Sequence, residues 1–107
     1  MIPADLLSAL READPELWDT FLDEKPFYPK NDLEIDKTGE WILQGMLQER
    51  IRARGWGYAI GRSSKGMTSA SVYAQEGEGK TVMGYDEAED LLRAYLSARS
   101  REAEDKA

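Results

Sequence analysis

A chain of 107 residues that contains neither cysteine nor histidine is sized for one core, and it has no means of making disulfide staples, zinc–thiolate sites, thiol nucleophiles or imidazole bases. Its formal net charge of −7 repels phosphate backbones and anionic lipid but suits a basic protein partner. The opening residues Met1-Ile2-Pro3-Ala4-Asp5 lack a basic leader, and no stretch reaches the roughly 18 apolar residues of a membrane span, so the cytoplasm is the expected compartment.

Residues 3–11 read as a short helix with Leu6, Leu7 and Leu10 on one side. Asp14-Pro15 restarts the chain, because Asp is a good N-cap and Pro at the first helical position gives up only an N–H that would be unpaired anyway. Leu17, Trp18, Phe21 and Leu22 then recur at helical spacing over 15–24. The two pieces are either one kinked helix or a helix pair. Lys25 to Lys37 is a connector with Pro26, Pro29 and Asn31, and Phe27 and Tyr28 are expected to pin it to the core. A third helix over 38–54, capped by Asp36 or Thr38, carries the stripe Ile42, Leu43, Met46, Leu47 and Ile51, with Trp41 at its edge. Gly55 supplies the left-handed residue that ends it.

The periodicity then changes to two. Trp56, Tyr58 and Ile60 share one face of a strand over 56–62, and Ser63-Ser64-Lys65-Gly66 forms a turn. A second strand over 68–75 sets Ala70, Val72 and Ala74 against Ser69, Ser71, Tyr73 and Gln75. After the turn Glu76-Gly77-Glu78-Gly79, a third strand over 80–84 places Val82 between Thr81 and Met83. The last helix, 86–99, has Asp86 as N-cap, Glu89 in capping-box position, and Ala88, Leu91, Leu92, Tyr95 and Leu96 as its stripe. Residues 100–107 are expected to fray. The fold class is α+β: a small antiparallel three-stranded sheet packed by helices. It forms one domain over 1–99, of which 1–24 is an acidic helical segment.

Charge is unevenly placed. Residues 1–40 hold 11 acidic and 4 basic side chains, 41–75 hold 1 and 5, and 76–107 hold 9 and 5. Three local patterns invite chemistry. Gly79-Lys80-Thr81 resembles the end of a phosphate-binding loop, but Ala74 stands where that loop needs its first glycine and no helix follows directly. A polar hairpin turn explains it better. Asp86, Glu87, Glu89 and Asp90 could offer oxygens to a hard cation, yet they lack the loop glycine and spacing of a calcium hand, and a capped, dipole-matched helix start accounts for them without metal. Arg50, Arg52, Arg54, Arg62 and Lys65 interleave with Trp56 and Tyr58, a pattern that binds single strands by pairing with phosphates and stacking on bases. The opposing reading places both rings on the core or sheet face and neutralises the arginines with nearby carboxylates such as Glu49. No metal and no cofactor are expected. Trp18, Trp41 and Trp56 are core residues unless one is exposed, in which case it becomes an interface anchor.

Over residues 36–98 the chain resembles the phage ABA-sandwich proteins, a family of small phage or prophage accessory proteins. The likeness lies in Trp41 to Arg54-Gly55-Trp56, in the Gly- and Ser-rich meander from Tyr58 to Gln75, and in the closing Asp86 to Ala98 helix. The acidic N-terminal segment has no counterpart in that pattern. The resemblance implies an accessory protein and brings no catalytic residues. The function expected is therefore non-enzymatic: binding and inhibition of a host nucleic-acid-handling defence complex, in the manner of an anti-CRISPR protein. The contact surface would be Asp14, Glu16, Asp19, Asp23 and Glu24, or Asp86, Glu87 and Asp90, laid against a basic surface of a host protein or ribonucleoprotein. The alternatives are a nucleic-acid-binding accessory protein using Arg50, Arg52, Arg54 and Arg62, a homodimer joined through an open sheet edge, and an enzyme limited to Asp, Glu, Lys, Tyr, Ser or Thr.

Overall fold

The chain runs α1 (Ala4–Ala13), α2 (Pro15–Glu24), α3 (Lys37–Ala53), β1 (Gly57–Arg62), β2 (Thr68–Tyr73), β3 (Lys80–Gly84) and α4 (Glu87–Lys106). The computed structural model describes residues 2–24, 37–73 and 80–106. The strands form one antiparallel sheet in the order β1-β2-β3, so the α+β architecture read from the sequence is the architecture observed.

Asp14 makes two helices out of the N-terminal segment. Its N–H donates to the Leu10 carbonyl at 2.8 Å and closes α1, while its Oδ1 accepts the Leu17 N–H at 3.2 Å and caps α2. Leu7 and Leu10 of α1 and Leu17, Trp18 and Phe21 of α2 are buried, with the Trp18 and Phe21 rings tilted together at 5.6 Å. Thr38 is exposed inside α3 and does not cap it. Asp36, the other expected cap, lies outside the described residues, as do Phe27, Tyr28 and Ala74. Leu43, Leu47 and Ile51 of α3 are fully buried, with Ile42 and Met46 packed beside them. The helix closes in a Schellman arrangement: Gly55 at φ 76° lets its N–H reach the Arg52 carbonyl at 2.9 Å and the Trp56 N–H reach Ile51 at 3.0 Å.

Register fixes the two faces of the sheet. Tyr58 pairs with Val72, Ile60 with Ala70, and Ala70 in turn with Val82, and these side chains point into the core. Trp56 is buried just before β1 begins. α4 lies across β2 and β3, α3 runs beside α4 and reaches β1, and α1 and α2 pack on those two helices. The helices therefore share one side of the sheet. The opposite face carries Gly57, Ala59, Gly61, Ser69, Ser71, Tyr73, Thr81 and Met83, and no described helix covers it.

Asp86 Oδ1 accepts the N–H groups of Ala88 at 3.0 Å and Glu89 at 3.3 Å, as an N-cap should. Glu89 pairs with Arg93 at 3.3 Å. α4 continues through Lys106, past the expected fraying point, and the reason is tertiary. Arg99 donates to the Ala13 carbonyl at 2.8 Å, and Glu102 pairs with Arg54, whose guanidinium lies 4.4 Å over the Trp56 ring. No described helix is long and apolar enough to cross a membrane.

Candidate functional site

The carboxylates singled out for partner binding divide by burial. Glu16, Asp19 and Asp23 are exposed on the outer side of α2, and the Glu16 side chain is 84% exposed. The Glu24 side chain lies outside the described residues. Asp14 and Asp90 do not belong to a contact surface, being 6% and 1% exposed. Asp86 and Glu87 are half-buried, one capping α4 and the other pairing with Arg62 at 2.8 Å.

Asp14 is withdrawn because the fold surrounds it with donors. Arg50 Nε lies 3.2 Å from its Oδ2, the Tyr95 hydroxyl donates to the same oxygen at 2.6 Å, and Arg99 approaches to 3.7 Å. Burial, then the hydrogen bond to Asp14 and the carboxylate charge, push the Tyr95 phenol up to about 12. The hub joins the α1–α2 corner to α3 and α4. Asp90 is withdrawn between α4 and the sheet, where it accepts the Thr68 hydroxyl. Burial raises its carboxyl above the ordinary value, aided by the charges of Glu89 and Asp86 and opposed by Thr68. For Asp86 burial also works upward, but the hydrogen bond from the Glu89 N–H and the positive charge nearby, to which Lys37 adds least, together hold the carboxyl below its ordinary value. These carboxylates are structural, and the described residues contain no group of three acidic side chains able to hold a metal ion.

The arginines expected to read nucleic acid are largely committed. Arg50 is tied to Asp14 and reaches Glu16 at 3.8 Å, Arg54 pairs with Glu102, and Arg62 with Glu87. Arg52 donates to the Tyr58 hydroxyl at 2.6 Å and lies 5.6 Å over that ring. Tyr58 is half-buried and Trp56 buried, so neither offers an open stacking platform. Thr81 stands in β3 facing away from the helices, with its hydroxyl 2.9 Å from Ser71 Oγ. It belongs to a strand and not to a phosphate loop, while Gly79 lies outside the described residues.

Between α2 and α3 runs a groove of about 540 Å³, walled by Leu17 and Thr20 on one side and by Trp41, Ile42, Gly45 and Met46 on the other. Glu49, Arg50 and Ala53, further along α3, complete the lining. Trp41 is 64% exposed, whereas Trp18 and Trp56 are 3% and 8% exposed. Sequence periodicity put Trp41 at the margin of its stripe, which was the available signal. Gly45, a glycine in the helix interior, is the second local mark of the groove. A second groove of about 470 Å³ lies among Leu6 of α1, Thr81 and Val82 of β3, and Arg93 and Leu96 of α4. The lining of the first includes one carboxylate, Glu49, and that of the second none. No family model, curated protein or solved structure matches the chain.

Proposed function

We propose that this chain is a non-enzymatic binding protein that engages a basic surface of a protein partner through the acidic outer side of its N-terminal helix pair. The observation that carries this reading is the charge of that side. Asp5, Glu12, Glu16, Asp19 and Asp23 are all exposed on α1 and α2, and Arg11 is the only basic residue among the first 24. Such a surface speeds encounter with a positive patch and discriminates against nucleic acid and anionic lipid. A partner that normally holds phosphates has a patch of that kind. The resemblance to phage accessory proteins directs the proposal to a host nucleic-acid-handling defence complex, which the chain would inhibit by occupying its basic channel.

The test is capture from host lysate with the wild-type chain and with a variant reversed at Glu16→Lys, Asp19→Lys and Asp23→Lys, followed by association kinetics on whatever the wild type retains. The reversed variant should associate more slowly, with the deficit largest at low salt, and free DNA should compete for the partner. Equal association rates for the two chains at low salt would remove the acidic side from the account.

Self-association through the sheet is a second reading with its own observation. The outer sheet face carries no charged side chain among the described residues. Met67, Tyr73, Met83 and Tyr85, at 37%, 42%, 66% and 77% exposure, gather on or beside it.

A further inference from the structure

We propose that the α2–α3 groove is a docking slot for an amphipathic helical segment with an apolar stripe flanked by lysines or arginines. The inference rests on the preceding reading for the sign of the partner's charge and adds the place and form of the contact. It starts from Trp41. The fold buries its other tryptophans and leaves this one 64% exposed on the groove wall, and large aromatics at such positions are the usual anchors of protein interfaces.

Gly45 stands one helical turn further along the same wall. A glycine inside a helix opposes helix formation, so it is retained where a positive φ or a close contact demands it. Neither applies here. Gly45 is not among the positive-φ residues, and a Cβ built on it would meet nothing within 4 Å. The fold gives no reason for the missing side chain. A partner does, because the bare backbone one turn along the groove from Trp41 leaves a shelf onto which an apolar knob fits.

The rest of the slot suits the same occupant. Leu17, Ile42 and Met46 supply apolar wall, and Glu49 adds a carboxylate to the lining. Glu16 and Asp19 lie on the exposed side of α2 next to Thr20. Arg50, the cation in the lining, is held by the buried Asp14 at 3.2 Å. Apolar walls with Glu49 in the lining and the exposed carboxylate of Asp19 on the neighbouring side of α2 select a cationic, amphipathic helix over nucleic acid, an anionic membrane or an acidic chain.

The probe is a synthetic Leu/Lys peptide with leucines at helical spacing, titrated into isotope-labelled protein and compared with a scrambled peptide of the same composition. The patterned peptide should produce saturable shifts at the Trp41 indole N–H and the Gly45 amide, and the scrambled one should not. Gly45→Gln, which leaves the charge unchanged and has open space for its side chain, should weaken binding about tenfold or more while leaving the remaining spectrum intact. If patterned and scrambled peptides bind alike and Gly45→Gln is silent, the slot is wrong and only a diffuse acidic surface remains. If Gly45→Gln releases the peptide while reversal of Glu16, Asp19 and Asp23 does not, the slot stands and the acidic reading fails. Concentration-dependent shifts of Trp41 without peptide would assign the groove to a second copy. Nuclear Overhauser contacts from Trp41 to residues 25–36 in the free chain would assign it to the chain itself. Either result overturns the proposal.

Discussion

Asp14 shows how a single side chain can be legible in its local role and opaque in its tertiary one. Its position before Pro15 marks a helix N-cap, and it is one. Its carboxylate also looks like surface charge, until Arg50 and Tyr95 arrive from 36 and 81 residues away. Removing one member of such a buried set leaves the others short of partners. Tyr95→Phe should therefore lower stability at neutral pH by roughly 1–3 kcal/mol, read as the shift in urea midpoint. Tyr95 also sets a pH window. Its folded-state pKa, about 12, lies above the ordinary 10.0, so the folded chain holds the phenol proton more tightly than the unfolded chain does. Between those values the unfolded state binds fewer protons, and stability falls as pH rises. The contribution is complete below pH 10 and disappears toward pH 12. Urea midpoints measured across that window should fall more steeply for wild type than for Tyr95→Phe, and parallel curves would show that Tyr95 is not the group responsible.

Among the elements, two glycines that look equivalent in sequence have opposite meanings. A Cβ at Gly84, the last residue of β3, would lie 2.5 Å from Oδ1 of Asp90. That carboxylate is buried and already bonded to Thr68, so it has little room to retreat. Gly84→Ala should cost roughly 1–3 kcal/mol by overpacking the α4–sheet contact. Gly45→Ala in α3 meets no neighbour and should instead stabilise by about 0.5–1 kcal/mol. Thermal melts of the two variants should move in opposite directions, and a destabilised Gly45→Ala would show that the fold itself needs the glycine. The pair also marks how far the sequence could be read. Asp14-Pro15, Gly55 and Asp86 delimit their helices by local chemistry, and alternation through Tyr58, Ile60, Ala70, Val72 and Val82 sorts the sheet faces. Each of those signals lies within a few residues. The extension of α4 was not legible, because its cause is Glu102 meeting Arg54 across 48 residues. The burial of Asp90 was hidden for the same reason, since its donor Thr68 sits on another element. For the site, the exposed acids Glu16, Asp19 and Asp23 follow from their helical phase. The groove needs two helices side by side, an arrangement that no local pattern contains.

At the scale of the whole molecule, charge separates the acidic α1–α2 side from the outer face of the sheet. A chain carrying −7 repels its own copy, and most strongly where acidic helices would meet. The outer sheet face, uncharged among the described residues, is the place where that repulsion is least, and Met83 and Tyr85 give it apolar area to bury. Salt acts oppositely on the two contacts. It weakens attraction between the acidic α1–α2 side and a basic partner, but it relieves repulsion between two copies, with a screening length near ~8 Å at physiological ionic strength. Light scattering of the purified chain should therefore show a mass that rises from monomer toward dimer as salt and protein concentration increase. Met83→Lys places a charge on the outer sheet face, at a position 66% exposed. It should hold the chain monomeric at every salt concentration without changing its stability by more than the roughly 0.5 kcal/mol typical of surface changes. A wild-type mass that stays monomeric as salt rises would end the self-association reading. An association that weakens with salt would place the contact on charged surface elsewhere in the molecule.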